Sequence, residues 1–121
     1  MTAPNIVNVT TITGKTAVAN STTSASNIVE NTAASGKVIK VNMLSAANVD
    51  GVADGDITVN LVRSSTNYAY AHGLNVPAQA TMVIITKDSG IYLEEGDALT
   101  IESTVNGDVQ VICSYEEISW D

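Results

Sequence analysis

The sequence predicts an all-β protein, a single-domain antiparallel β-sandwich of jelly-roll-like architecture. Apolar and small polar residues alternate in segments such as Ile57-Thr58-Val59-Asn60-Leu61 and Ile39-Lys40-Val41-Asn42-Met43. A period of two places the apolar side chains on one face of a strand. Hydrophobic residues make up 45% of the chain without any Phe, so we expect a thin aliphatic core between two closely packed sheets.

Glycine, usually beside Asn, Asp or Ser, divides the chain into short segments, and no segment has a sustained helical stripe. The predicted strands span residues 5–13, 16–22, 25–30, 36–46, 56–63, 67–71, 80–86, 90–93, 98–105 and 108–116. Turns fall between them, the first at Thr13-Gly14-Lys15. We expect one turn of helix at most, because Thr, Val, Ser and Asn dominate.

The strongest turn signal is Asn106-Gly107. A type I′ hairpin turn needs positive φ at both central residues, which this dipeptide tolerates well. We therefore predict that strands 98–105 and 108–116 pair as a hairpin.

The 121 residues suit one domain. We assign residues 9–121 to the β-sandwich and residues 1–8 to an extended N-terminal arm. Such an arm can add a strand to the sheet edge of a neighbouring subunit. The alternative interpretation is an ordinary first strand within the same domain.

The formal net charge of −8 argues against nucleic-acid binding, since the five Lys and Arg residues form no basic stripe. No apolar run is long enough to span a membrane, and the first residues lack the pattern of a signal peptide. These features predict a soluble protein made in a cytoplasm. A single cysteine cannot form an internal disulfide.

Two acidic segments invite a chemical interpretation. The stretch from Asp50 to Asp56 resembles a calcium loop, but its spacing departs from the EF-hand, and a turn explains it better. Glu94, Glu95 and Asp97 suggest paired carboxylates, but neighbouring residues on a strand end point apart. We interpret this second segment as an exposed turn.

The remaining candidates for chemistry also favour structural roles. His72 has no nearby His or Cys, and we place it in a loop or at a rim. Cys113 alternates with Val111 and Tyr115, which indicates a buried position without the basic neighbour of a reactive thiol. We therefore predict no catalytic residue, no cofactor and no metal site.

Exposed aromatic residues are candidates for partner contacts. Tyr68 and Tyr70 are predicted to share one strand face, with Ala69 and Ala71 on the other. Either they bind a partner or a sugar, or they pack at the rim. Trp120 either folds back on its own domain or inserts into a neighbour. The set of predicted contacts is Asn5, Ile6, Val7, Tyr68, Tyr70 and Trp120.

Four segments resemble small virion proteins of tailed bacteriophages, especially cyanophages. They are Asn5-Ile6-Val7-Asn8-Val9-Thr10-Thr11-Ile12-Thr13-Gly14-Lys15-Thr16, Ala46-Ala47-Asn48-Val49-Asp50-Gly51, Ile91-Tyr92-Leu93-Glu94-Glu95-Gly96-Asp97 and Cys113-Ser114-Tyr115-Glu116-Glu117-Ile118. The resemblance covers most of the chain in order. It implies a non-enzymatic β-sandwich subunit that assembles in many copies on the virion.

The role that this resemblance implies first is a capsid cement or decoration protein, bound to the major capsid protein or other virion proteins. A homo-oligomer, and specifically a trimer, is also implied by the resemblance. The alternatives are a tail, neck or fibre component and a binding module for carbohydrate or a host surface. A small hydrolase is disfavoured, because few residues are available for a catalytic site.

Overall fold

The computed structural model describes residues 11–105 and 107–119. Its strands are β1 Thr11–Asn20, β2 Ser26–Glu30, β3 Lys37–Asn48, β4 Gly55–Arg63, β5 Thr66–Val76, β6 Thr81–Ile85, β7 Ile91–Leu93, β8 Ala98–Glu102 and β9 Val109–Ser119. A short 3-10 helix, Lys87–Ser89, lies between β6 and β7. The prediction of an all-β fold is confirmed.

Two antiparallel sheets form the sandwich. The five-stranded sheet has the order β1-β9-β3-β6, with β7 also paired to β3, and the four-stranded sheet has the order β2-β8-β4-β5. β6 pairs with residues 44–47 of β3 and β7 with residues 39–41, so the two lie one after the other along the same side of β3. When β6 and β7 count as one interrupted strand, this is the strand order of a jelly roll.

The core lies between the sheets and is aliphatic, as predicted. Its largest fully buried side chains are Ile39, Leu44, Ile57, Ile85, Leu93, Leu99, Ile101, Val41, Val59, Val76, Val109 and Val111. Burial of each such side chain contributes about 1.5–3 kcal/mol to folding. The core therefore draws on both sheets and couples their stability.

A β-bulge in β3 changes the predicted inner face of this strand. The register with β9 shifts between Val41 and Met43. Val41 and Leu44 are both fully buried in the core, whereas Met43 pairs with Ser114 and is only partly buried. The prediction that Ile39, Val41 and Met43 share one face was wrong for Met43, because the extra residue reverses the alternation.

The predicted hairpin at Asn106-Gly107 was wrong. β8 lies in the four-stranded sheet, whereas β9 lies in the five-stranded sheet, so the two strands do not pair. The connection instead bonds to the β1–β2 connection: Ser103 N donates to Thr22 O at 2.9 Å, and Gly107 N donates to Ser21 O at 2.9 Å. Gly107 has the expected positive φ of 79°. Gly107 thus has the backbone conformation expected for a turn, but it lies in a connection that crosses from the four-stranded sheet to the five-stranded sheet.

The two-residue hairpin turn lies elsewhere, at Ser64 and Ser65. Arg63 pairs with Thr66 across the turn, and the central serines have φ values of 54° and 62°. Positive φ at both central positions is the feature of a type I′ turn. Sequence reasoning missed this hairpin because serine rarely adopts that conformation.

The turn predicted at Thr13-Gly14-Lys15 was also wrong. These residues lie inside β1, where Gly14 pairs with Glu116 of β9. The glycine faces open space, since a Cβ at this position would meet nothing within 4 Å. The predicted strand 98–105 ends earlier, at Glu102, and the strand predicted over residues 67–71 extends as far as Val76.

We expect Ser65→Gly to raise the free energy of unfolding by about 1 kcal/mol, because glycine removes the left-handed backbone strain of a side-chain-bearing residue. Urea unfolding followed by circular dichroism measures the change. The matched control is Ser26→Gly in the exposed start of β2, where glycine weakens a strand. A decrease for Ser65→Gly like that of the control would contradict the turn assignment.

Candidate functional site

An ion-pair cluster holds one end of the four-stranded sheet. Asp97 is buried, and its carboxylate accepts hydrogen bonds from Arg63 Nε at 3.0 Å and Nη2 at 2.6 Å. The same Arg63 Nη2 contacts Glu94 at 3.1 Å, and the Glu94 N–H donates to Asp97 Oδ2 at 2.8 Å. The hydrogen bonds to Asp97, together with the negative charges of Asp97 and Glu94, raise the pKa of Arg63. The exposed-turn interpretation was wrong for Asp97, which anchors this turn to the end of β4.

Two buried asparagines fix further loops. Asn31 Nδ2 donates to the carbonyl oxygens of Lys37 and Leu93, both at 2.9 Å. Asn48 Nδ2 donates to Ala53 O at 3.0 Å and to Val76 O at 2.9 Å. A buried amide with satisfied hydrogen bonds orders the loops that it joins. Sequence reasoning missed both residues, because their partners are carbonyl groups that folding brings near.

The acidic stretch after β3 is a turn. Asp50 Oδ1 accepts hydrogen bonds from Val52 N at 2.9 Å and Ala53 N at 3.4 Å. These bonds lower the pKa of Asp50. Among residues 11–105 and 107–119, no group of three or more His, Cys, Asp or Glu side chains is arranged to hold a metal ion.

The two other chemical candidates lie in strands. Cys113 is fully buried among the core side chains, as predicted, and burial raises its pKa to about 12. His72 lies within β5 rather than in a loop, and it is exposed. It lines a shallow polar depression of ≈ 310 Å³ on the four-stranded sheet, with Asp56, Thr58 and Glu102.

Within residues 11–105 and 107–119, no helix is long and apolar enough to cross a membrane.

The outer face of the five-stranded sheet carries an uncharged patch. Strand register arranges it in three transverse rows: Thr16, Ser114 and Met43; Val18, Ile112, Ser45 and Val83; and Asn20, Gln110, Ala47 and Thr81. Val18 is 72% exposed, Val83 55% and Ile112 44%. None of these side chains is ionisable, although the protein has a net charge of −8. Exposed apolar side chains in one row are typical of an interaction surface.

A shallow depression of ≈ 550 Å³ lies on this uncharged patch, lined in part by Val18, Ser45, Thr81 and Ile112. The first charged residues along the face form the next row beyond Thr16, where Glu116 and Lys40 are register partners. These two residues carry opposite formal charges, so the pair adds no net charge to the face. A partner that binds to the uncharged patch therefore does not bury a charged side chain of the patch.

Strand β1 forms a regular edge beside the uncharged patch. Its ten residues pair with β9 without a register shift, and in the described part of the chain they pair with no other strand. The only charge in β1 is Lys15, whose Nζ lies 3.0 Å from Glu117 Oε1. Lys37 Nζ contacts the same oxygen at 3.3 Å. An uninterrupted edge strand exposes backbone groups that another strand can pair with.

The predicted tyrosine contacts lie on the opposite sheet, in β5. Tyr68 is 56% exposed and Tyr70 36% exposed. The predicted face sharing of Ala69 and Ala71 was wrong: a register shift pairs them with Asn60 and Val59, adjacent residues of β4 that point to opposite faces. Whether Tyr68 and Tyr70 contact a partner stays a prediction. Asn5, Ile6, Val7 and Trp120, like the proposed arm at residues 1–8, lie outside the described residues.

Comparison with solved structures finds two proteins to which this chain is similar. One is a chain of Bacillus endospore appendages, which form a family of disulfide-linked pili; it is 14% identical with a TM-score of 0.52, over 92% of this chain and 90% of that chain. Another is a pentameric capsid protein from metagenomic phage sequences, 16% identical with a TM-score of 0.43, over 83% of this chain and 59% of that chain. No protein-family model and no curated protein matches the sequence.

We expect Cys113 to react with a thiol reagent at pH 8 on the order of a thousandfold more slowly in the folded chain than in urea, because burial suppresses the thiolate. Absorbance of the released aromatic thiol measures the rate. A Val52→Cys variant provides the folded control, since Val52 is 92% exposed. Equal rates for Cys113 in folded and unfolded protein would contradict its burial.

The ion pairs of Glu117 with Lys15 and Lys37 predict that the stability of the protein changes at acidic pH. Partial burial raises its pKa, but the hydrogen bonds from Lys15 and Lys37 outweigh this effect, and the net pKa is lowered. The contribution of these ion pairs to stability is therefore fully present above the pKa of a glutamate in the unfolded chain, about 4.3. It is lost as the pH falls through the lower pKa of Glu117 in the folded protein. We expect Glu117→Gln to lower the urea midpoint at pH 7, with the difference vanishing in acid.

The matched control for this prediction is Glu116→Gln, which removes the same charge from the neighbouring residue on the other face of β9. Urea midpoints of both variants are measured across the acidic range. A Glu117→Gln deficit that persists unchanged at the lowest pH would show that the ion pairs are not its source.

Proposed function

We propose that this chain is a non-enzymatic structural protein of a phage virion, and more specifically a capsid cement or decoration protein. The observation that carries the proposal is the uncharged patch beside the regular edge of β1, in a protein of net charge −8. Apolar surface, and a strand edge that pairs with no other strand among the described residues, favour binding to other protein surfaces. The resemblance of the sequence to small virion proteins supports the choice of partner.

The fold supports assembly in many copies. The Bacillus chain, which has a similar fold, belongs to appendages described as disulfide-linked pili. Here Cys113 is the single cysteine of the sequence and lies in the core, so it does not supply such a link. Subunits of this protein then associate through non-covalent contacts.

A cement protein acts by binding across the seams between capsid subunits. Many weak contacts, multiplied by the copy number, stabilise the shell against internal pressure. In this proposal the arm at residues 1–8 adds a strand to a neighbouring sheet, and the major capsid protein is the main partner. The trimeric state remains the expectation from resemblance.

A tail, neck or fibre component is the first alternative, because the same surfaces suit any repeated assembly. A carbohydrate or host-surface module is the second, and the exposure of Tyr68 favours it. Tyr92, another exposed aromatic, lies in the other sheet, so these two rings do not form one stacking platform.

Cryo-electron microscopy of intact particles of the phage that encodes this chain tests the proposal. We expect regular density for a 12.6 kDa domain on the outer face of the icosahedral shell. Particles that lack the chain should release their DNA at a lower temperature, and addition of the purified protein should restore the wild-type temperature. A matched control is the purified protein without residues 1–8, which should restore less.

The outcomes separate the alternatives. Density only at the tail or neck would overturn the cement assignment and support the first alternative. Absence from the particle would overturn the virion proposal as a whole. Glycan binding that is lost in Tyr68→Ala and kept in Tyr92→Ala would then favour the carbohydrate module.

A further inference from the structure

We propose that the polar depression on the outer face of the four-stranded sheet binds a neutral sugar. This depression, which His72 lines, has a volume of ≈ 310 Å³. The inference goes beyond the proposed function, because it assigns a small ligand to a face that the cement role does not use. It concerns the isolated protein and is tested without a virion.

Alternation along β4 and β8 builds the floor of the polar depression. Ile57 and Val59 are fully buried between the sheets, so Thr58 and Asn60, which alternate with them, face outward. Glu102 of β8 is the register partner of Thr58 and faces the same side. Three polar side chains from two neighbouring strands therefore lie together on the outer face.

A β-bulge in β5 forms one side of the polar depression. The register between β4 and β5 shifts at Thr58, so that His72 and Gly73 both lie opposite this single residue. Gly73 has a φ of 60°, and its N–H donates to Thr58 Oγ1 at 3.0 Å. A Cβ at Gly73 would meet nothing within 4 Å, so the depression is open at this point. The bulge adds the side chain of His72 to the lining, as bulges do next to binding sites.

The polar depression contains hydrogen-bonding groups that the protein itself does not use. Over residues 11–105 and 107–119, the side chains of Asn60, His72 and Glu102 form no hydrogen bond or ion pair with another protein group. Asp56, in contrast, is fixed, because its Oδ1 accepts hydrogen bonds from Thr104 N and Oγ1, both at 2.8 Å. The lining therefore combines a carboxylate acceptor with an amide and an imidazole, each of which can donate.

These groups match a sugar better than they match other classes of ligand. A hydroxyl group both donates and accepts, so one sugar hydroxyl can donate to Glu102 while its neighbour accepts from Asn60 or His72. Every lining residue except Gly73 has a polar side chain, and an apolar ligand would leave these groups unpaired.

Charge further restricts the ligand. Asp56 and Glu102 line the polar depression without any Lys or Arg, which disfavours phosphates and other anions. A metal ion is disfavoured as well, because in the described part of the chain no three side chains of His, Cys, Asp or Glu are arranged to hold one. A neutral sugar is the class of ligand that satisfies both conditions.

The size of the polar depression predicts weak binding of a small sugar. A volume of ≈ 310 Å³ lies at the lower end of the range of ligand sites, about 300–1,000 Å³. A shallow site with a few hydrogen bonds holds a monosaccharide or disaccharide with a Kd in the millimolar range. Many copies on one particle would raise the avidity for a surface that carries many sugars.

The polar depression and the uncharged patch lie on opposite sides of the sandwich. The patch belongs to the five-stranded sheet and the depression to the four-stranded sheet. A subunit that docks through the patch therefore leaves the depression accessible. No aromatic ring lines the depression, so the site differs from that of the carbohydrate alternative, which depends on Tyr68.

An NMR titration of the full chain tests the site. The probes are glucose, galactose, mannose and N-acetylglucosamine, each added to about 100 mM, which is well above a millimolar Kd. We expect at least one sugar to cause saturable shifts of amide signals confined to residues 56–60, 71–73 and 102–104. Shifts elsewhere, or no saturable shift with any of the four sugars, would overturn the site. Shifts with calcium chloride and with none of the sugars would overturn the class of ligand.

A matched pair of variants tests the role of the carboxylate. Glu102→Gln keeps the shape of the side chain and removes its charge, and we expect the Kd to rise about tenfold because a hydrogen bond to a charged group is lost. The control is Glu30→Gln, which removes the same charge from an exposed position of β2 in the same sheet and should leave the Kd unchanged. An equal loss in both variants would overturn the role of Glu102.

Tyr68→Ala separates this site from the carbohydrate alternative. We expect it to bind the sugar as the wild-type chain does, and loss of binding would overturn the polar depression as the site. The wild-type titration keeps the proposal falsifiable if a variant fails to fold. Regular capsid density without sugar binding would overturn this site alone, whereas sugar binding without virion density would overturn only the virion proposal.

Discussion

The antiparallel pairing of β3 with β9 is the contact on which the rest of the structure depends. The two strands run side by side from the pair Lys37 and Ser119 to the pair Asn48 and Val109. β1 adds to the other side of β9, and β6 and β7 add to the other side of β3. Because this pair joins distant parts of the chain, the five-stranded sheet forms only when the C-terminal strand has docked, as expected for a fold of high contact order.

The same pairing determines the surface. Alternation along β9 directs Val111 and Cys113 into the core and Gln110 and Ile112 outward, and the neighbouring strands follow the same alternation. The uncharged patch is therefore a product of the register of four strands and not of any one segment. It lies next to the regular edge of β1, which pairs only with β9 among the described strands, and an apolar face beside such an edge favours assembly with other protein surfaces.

The turns show why a correct prediction of local backbone conformation led to a wrong prediction of strand pairing. Gly107 has the positive φ that the sequence indicated, yet its N–H bonds to Ser21 while the chain crosses between sheets. The tight hairpin turn at Ser64 and Ser65, by contrast, has neither glycine nor asparagine at its two central positions. In that turn, the β4–β5 pairing and the Arg63–Asp97 ion pair next to it outweigh the backbone cost of two left-handed serines.

The sequence by itself determined the all-β class, the aliphatic core, the buried position of Cys113 and the turn at Asp50. These features depend on alternation and composition, which are properties of short segments. Only the tertiary structure decided which strands pair, where the bulge moves Met43 outward in favour of Leu44, and that Asp97, Asn31 and Asn48 are buried anchors. Those features depend on hydrogen-bond partners far away in the chain, and a local pattern carries no information about which distant carbonyl group or guanidinium will be its neighbour.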